Sequence, residues 1–282
     1  MKALGTGTIR TLLILLVILV LGACAPSGPK PPAPGTPAYQ WNRAQEAYKA
    51  GDFARAVDLL SELAGGESEF ASQARPAALL LSLGLANAYM ELSEKLDEAG
   101  KKNRTNPAPF RRHASEYSSR VKSLSMRYVE LSHKFIQANQ DREVTLVLEP
   151  PPATLDDPDQ YKKFAIGQLI PDAELAQVEK QVVARELLRT SAQCLGVPKE
   201  PEKARSAFQT GGAKVAGPDF LLHIASGLYR VGEMFGPKKL DQPHRIKLVY
   251  EEALSALALV KDNKDAKDLT KKISDAQKKL KL

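Results

Sequence analysis

The sequence predicts an all-α protein, either an α-solenoid or a bundle of antiparallel helix pairs, with a long central helical hairpin. Three observations carry this. Apolar residues recur at helical spacing through most of the chain after residue 38, a coiled-coil-like seam runs from Phe110 to Phe135, and only Arg142 to Asp157 departs from helical patterning. A chain of 282 residues can bury a core of this kind without covalent staples.

The N-terminal element is not part of that fold. Lys2 and Arg10 precede an uninterrupted apolar run from Leu12 to Leu21, and Leu21-Gly22-Ala23-Cys24 closes it with small residues. The run has ten residues, about half of the ~20 needed to cross hydrocarbon, so an export signal fits better than a permanent span. Ala23-Cys24-Ala25 also fits an ordinary secretory cleavage site. The four residues ending in Cys24 resemble a bacterial lipoprotein signal. That resemblance implies a signal peptide over 1–23, cleavage before Cys24, and covalent diacylglycerol and N-acyl (palmitate-like) chains on Cys24. It also implies anchoring to a lipid bilayer and a chain facing the periplasm. Residue 25 is alanine and not the aspartate that retains enterobacterial lipoproteins at the inner membrane, so the resemblance points to the outer membrane.

Residues 24–38 read as a tether. Ala25 to Pro37 holds six prolines, which favour an extended, semi-rigid spacer with no means of burying a core. Loss of residues 1–23 would lower the formal charge from +7 to +5, and the excess concentrates in Lys261 to Leu282, with eight lysines against four aspartates. This is a local property of the tail rather than a field over the whole protein, and nucleic acid is not an expected partner. With Cys24 acylated, Cys194 has no disulfide partner and reads as a small buried hydrophobe.

Residues 39–140 hold the first helical region. Ala44, Ala47 and Tyr48 share a face, Gly51-Asp52 breaks the pattern, and Ala56, Leu59, Leu60 and Leu63 resume it. Glycine permits the turn, Asp52 can cap the second helix, and Ala56 lets the pair approach closely. Here the segment resembles a tetratricopeptide repeat: Ala47, Gly51, Phe53, Ala56 and Leu60 match the small, glycine, aromatic, alanine and bulky apolar positions around that family's inter-helix turn. Trp41 lies one residue from the place of the repeat tryptophan. Fainter echoes are Leu85 to Tyr89, Glu202 to Phe208, and Ala225 to Tyr229 followed by a helix around Tyr250, Ala253 and Leu257. The resemblance implies degenerate repeats; a generic helical bundle is the alternative.

The central hairpin follows from two stripes. Leu81, Leu85, Tyr89, Leu92 and Leu96 form one, and Phe110, Ala114, Tyr117, Val121, Leu124, Tyr128, Leu131 and Phe135 form the other, with the polar loop Gly100 to Pro109 between them. It could fold back on its neighbours or project as a docking arm. Residues 141–160 read as an extended, proline-rich connector: Val144, Leu146 and Leu148 alternate with other residues until Pro150-Pro151-Pro152 ends any regular element. With no sheet to join, this strand either crosses the surface or offers its edge to another chain.

Residues 161–282 are a C-terminal helical region. Asp172 is the expected N-cap of a helix through Leu175, Val178, Val182, Leu187 and Ala192, ending at Gly196-Val197-Pro198. Further helices are expected at roughly 200–215, 219–235 and 243–260 from the same periodicity. A last amphipathic helix carries Ala266, Leu269, Ile273, Ala276 and Leu280 on one stripe.

No constellation in the sequence reads as an active site, so no enzyme activity, catalytic residue, cofactor or metal is expected. His113, His133, His223 and His244 show no metal-ligand spacing, and neither cysteine lies in a Cys-x-x-Cys motif. Asp156, Asp157 and Asp159 lack the glycine and distal glutamate of a calcium loop and are expected to cap the next helix. Gly65-Gly66 and Gly211-Gly212 lack a phosphate-binding context. The two resemblances together imply a protein-interaction scaffold with an envelope protein as partner, similar in architecture to tetratricopeptide lipoproteins of envelope assembly. The alternative is a ligand-binding lipoprotein similar to the T-component of tripartite periplasmic transporters, which would enclose an apolar pocket within the middle helices.

Overall fold

The computed structural model describes residues 32–138, 143–208, 211–260 and 263–280. The expected signal peptide, Cys24 and most of the tether lie outside the described residues. Among those described, ten helices and a single two-stranded sheet make up the regular structure, so the all-α class holds.

Helices α1 (Pro37–Lys49) and α2 (Phe53–Gly65) form the expected antiparallel pair. The Thr36 hydroxyl caps α1 by accepting from the Tyr39 amide at 3.3 Å, and Asp52 caps α2 by accepting from the Arg55 amide at 3.2 Å. Gly51 between them has φ +79°, a conformation that a side chain would strain. Ala44 and Ala56 are fully buried, which lets the two backbones pack closely. Trp41 near the start of α1 stacks on Phe70 at 5.7 Å, fixing the entry of the chain beside the base of the next helix.

The hairpin of α3 (Ala71–Lys102) and α4 (Ala108–Ala138) is the centre of the molecule and not a projecting arm. Every seam residue from Phe110 to Leu131 is buried, and Phe135 is half-buried. Gly100, expected in the loop, instead lies in the last turn of α3 and is buried. A methyl group there would stand 3.1 Å from Phe110 Cβ, so glycine is what lets the hairpin close tightly. α3 carries α2 on one side and the later helix α6 on the other, and this is why its burial extends well beyond one stripe.

The extended segment has a partner within the chain, contrary to expectation. Strand β1 (Val144–Leu146) pairs antiparallel with β2 (Ala213–Val215) in the register Val144↔Val215, Thr145↔Lys214 and Leu146↔Ala213. The helix expected over 200–215 is correspondingly short, α7 being only Glu202–Ser206. Gly211 and Gly212, at φ +98° and +95°, turn the chain into β2, and a Cβ on Gly212 would meet the Leu146 carbonyl oxygen at 2.4 Å. Local helical spacing thus gave way to a backbone pairing nearly seventy residues distant, which no window of sequence registers.

Between the strands lie the short helix α5 (Gln160–Ala165) and the long α6 (Asp172–Cys194). Asp172 is the first residue of α6 rather than its cap, that place being taken by Pro171. The chain closes with α8 (Gly217–Met234), α9 (Pro243–Ala258) and α10 (Lys264–Leu280). On α10, Ala266, Leu269 and Ile273 are buried, while Ala276 and Leu280 are half-buried. The main hydrophobic core runs from Trp41 to Ile273 and draws on both 39–140 and 161–282, and a small second cluster of Leu188, Ala192 and Ala204 packs against Ala153 and Leu155 of the connector.

Candidate functional site

The five residues carrying the repeat resemblance separate into two groups. Ala47, Ala56 and Leu60 are buried at the α1–α2 contact, where they can only serve packing. Gly51 and Phe53 instead border an open groove of about 530 Å³, with α2 and α6 as its walls and α3 and α4 as its floor. Phe53 is held edge-on against Tyr48, ring centroids 5.3 Å apart, so its ring is positioned from behind.

The groove floor carries an aromatic and charged cluster. Tyr89 of α3 and Tyr117 of α4 stack at 5.6 Å, and the Arg120 guanidinium lies 5.2 Å and 5.5 Å from their ring centres. Glu179 of α6 accepts from the Tyr117 hydroxyl and from Arg120, both at 2.9 Å. Burial, and then the Glu179 charge, push the Tyr89 phenol up to about 12 and the Tyr117 phenol further, so both are neutral hydrogen-bonding groups at any physiological pH. Along the same groove Arg127 of α4 pairs with Asp58 of α2. The buried side chains of Val57, Leu124 and Val183 line the same groove beside these ion pairs.

Two other grooves are larger. One of about 730 Å³ runs between α4 and α9 and includes Met126, His133 and the half-exposed Leu248. The other, of about 760 Å³, lies where α6, β2, α8 and α10 meet, with Cys194, His223 and Arg230 in its walls. Cys194 is 4% exposed, and burial pushes its thiol far above the usual range, so it stays protonated. His113 approaches Glu116 and Asp172 at 3.3 Å and 3.5 Å, while His133 approaches Glu252 at 3.1 Å. Among the described residues no group of three or more histidine, cysteine or acidic side chains is placed to hold a metal ion.

His223 is 8% exposed and its Nε2 has no hydrogen-bond partner. Burial first, and the Arg230 charge second, lower its pKa from 6.5 to about 3. The unfolded chain therefore takes up a proton near pH 6.5 that the folded chain refuses until about pH 3. Stability from this group is complete above pH 6.5 and is lost as pH falls, by roughly 1 kcal/mol for each pH unit. Urea unfolding at pH 7 and pH 4.5 is expected to show this loss, and His223→Gln is expected to reduce it.

A buried ionic cluster lies under the other face of α6, and sequence reasoning missed it. Arg185 is 1% exposed. It pairs with Glu91 of α3, donates to Asp157 at 2.8 Å, and lies 3.6 Å from Glu186. Tyr161 of α5 donates to the same Glu91 at 2.7 Å. Asp157 is thus a counter-ion and not a helix cap, while Asp159 takes the expected N-cap position of α5 but turns its side chain to Lys162 instead of to a backbone amide. A signal for Arg185 did exist: it occupies the next position in the three-four spacing Leu175, Val178, Val182, where an apolar residue was due.

The architecture is therefore that of an all-α protein built on a central hairpin with open grooves at its surface. Among the described residues no helix is long and apolar enough to cross a membrane. No family model, curated protein or solved structure matches the chain.

Proposed function

We propose that this protein is a bacterial envelope lipoprotein that acts as a membrane-tethered scaffold for another protein. The observation that carries the reading is the order of elements along the chain: a basic start, a ten-residue apolar run ending in Leu21-Gly22-Ala23-Cys24, a proline-rich spacer, and a helical body beginning at Pro37. Acyl chains on Cys24 would hold the chain to a bilayer, each buried methylene contributing about 0.8 kcal/mol, while the helices stay in water facing the periplasm. With Ala25 after the cysteine, the outer membrane is the proposed location.

The scaffold reading draws support from the shape of the helical body. Three large spaces among the described residues are surface grooves lined by both apolar and ion-paired side chains, and the α2–α6 groove is bordered by Gly51 and Phe53 of the repeat-like turn. A ligand carrier would be better served by an enclosed apolar pocket, and the space between the helices beside Leu81 and Leu146 is only about 20 Å³.

The test labels cells with a palmitate analogue. The wild-type chain is expected to incorporate the label and Cys24→Ser to lose it; equal labelling of the two rules out the lipoprotein assignment. Cross-linking from Phe53 in the acylated protein, followed by solubilisation of the envelope, is expected to recover one reproducible protein. Its consistent absence argues against the scaffold.

A further inference from the structure

The end of the hairpin farthest from the tether carries an apolar projection beside a group of cations. Four large hydrophobic side chains are notably exposed among the described residues, and two of them, Ile166 at 74% and Leu169 at 45%, lie on the short loop between α5 and α6. Isolated exposed hydrophobes are ordinary. These two differ in being held rigidly. The Lys102 ammonium donates to the Ala165 carbonyl at 2.7 Å and the Asn103 amide to the Gly167 carbonyl at 3.0 Å, clamping the loop to the hairpin tip. Gly167 has φ +72°, and a Cβ there would stand 2.8 Å from the Asn103 nitrogen, so the loop is pressed against the tip. Tyr161, Phe164 and Ile170 bury their side chains on the inner side, leaving Ile166 and Leu169 as the outward members.

The surroundings are basic. Residues 101–112 contain Lys101, Lys102, Arg104, Arg111 and Arg112 and no acid, and Lys162 and Lys163 precede the loop. Lys101, Arg112, Lys162 and Lys163 have nearby carboxylates, at Asp97, Glu116, Asp159 and Glu174, and the exposed Asp172 follows the loop; among the described residues Arg104 and Arg111 are exposed with no ion pair. Exposed apolar side chains beside exposed cations match the two layers of an anionic bilayer: acyl chains below and phosphates above.

We infer that the Ile166–Leu169 loop, together with the cationic tip of the hairpin, is a second membrane contact that docks the body of the protein on anionic phospholipid. This rests on the lipoprotein reading, because the tether is what would hold the tip close to a bilayer. The dimensions permit it. α3 rises about 46 Å over its 32 residues, so the start of α1, packed beside Phe70, stands about that far from the tip. Cys24 to Thr36 spans at most about 40 Å when extended, so a hairpin tilted by about 30° or more from the membrane normal can rest its tip on the surface.

The experiment uses the chain from residue 24 to 282 with Cys24→Ser, so that no acyl group contributes; the whole core from Trp41 to Ile273 is retained. Flotation is measured with vesicles of phosphatidylcholine alone and of phosphatidylcholine with phosphatidylglycerol. The chain is expected to bind the anionic vesicles roughly tenfold more strongly than the neutral ones, and to be released by salt. Ile166→Asp with Leu169→Asp is expected to lower that binding roughly tenfold or more at an unchanged melting temperature. Absence of binding to anionic vesicles, or equal binding by the double variant, overturns the inference. So does a dimer that forms without vesicles and is lost in the double variant, which would assign the loop to protein contact. Acylation plays no part in this measurement, so a failure of Cys24 labelling would be seen separately from a failure here.

Discussion

Replacing Arg185 by alanine is expected to destabilise the protein by about 3–5 kcal/mol, the range found when one member of a buried ion pair is removed. Arg185 is 1% exposed, and its guanidinium holds together groups from four places in the chain: Glu91 on α3, Asp157 in the connector, Glu186 on α6 and, through Glu91, Tyr161 on α5. Asp157 is 70% exposed and can return to water, so its share of the effect is small. Glu91 is 24% exposed and would be left beside the Tyr161 hydroxyl with no cation, and Glu186, at 12%, has only Arg189 besides. Urea unfolding followed by circular dichroism measures the loss. Adding Glu91→Gln to Arg185→Ala is expected to recover part of it, because the neutral amide no longer needs a counter-charge. Strictly additive losses in the double variant would refute the pairing.

The second large effect is expected at Gly227. This residue of α8 lies where Tyr128 of α4 crosses, and a Cβ placed on it would stand 2.2 Å from the Tyr128 hydroxyl oxygen and 2.8 Å from a Leu83 methyl group. Tyr128 is itself 1% exposed and donates to the Ile224 carbonyl at 3.2 Å, so its ring cannot swing into solvent. Gly227→Val should therefore force α8 away from the hairpin and cost about 3 kcal/mol, the upper part of the range for overpacking. Thermal unfolding detects it. Combining Gly227→Val with Tyr128→Ala, which opens space at the same spot, is expected to cost less than the two single changes added together, and full additivity would count against the contact.

The two sites differ in how legible they are from sequence. Arg185 interrupts a regular apolar series on α6, so its oddity can be seen, although not its partners, which come from residues up to 94 positions away. Gly227 sits in an apolar helix with nothing local to mark it. Only the arrival of Tyr128, 99 positions earlier, turns a tolerated glycine into a required one. The same holds for Gly212, whose neighbour across the sheet is Leu146.

The Gly51 turn, the Asp52 cap and the seam from Phe110 to Leu131 were readable because each depends on residues within one or two helical turns. The groove between α2 and α6 was readable only in part. Phe53 was singled out as a repeat residue, but Tyr89, Arg120 and Glu179 come together from three helices, and their association depends on how those helices cross.

By itself the sequence determined the all-α class, the α1–α2 pair, the long hairpin and the amphipathic terminal helix, because period and capping are properties of neighbouring residues. Tertiary structure alone decided that the hairpin is the centre and not an arm, that the extended segment pairs with Ala213–Val215, and that Arg185 is buried. It also decided that Ile166 and Leu169 stand out beside the cations of the hairpin tip. Those outcomes depend on surfaces separated by tens of residues meeting in space, and such meetings are set by the packing of the whole chain rather than by any local pattern.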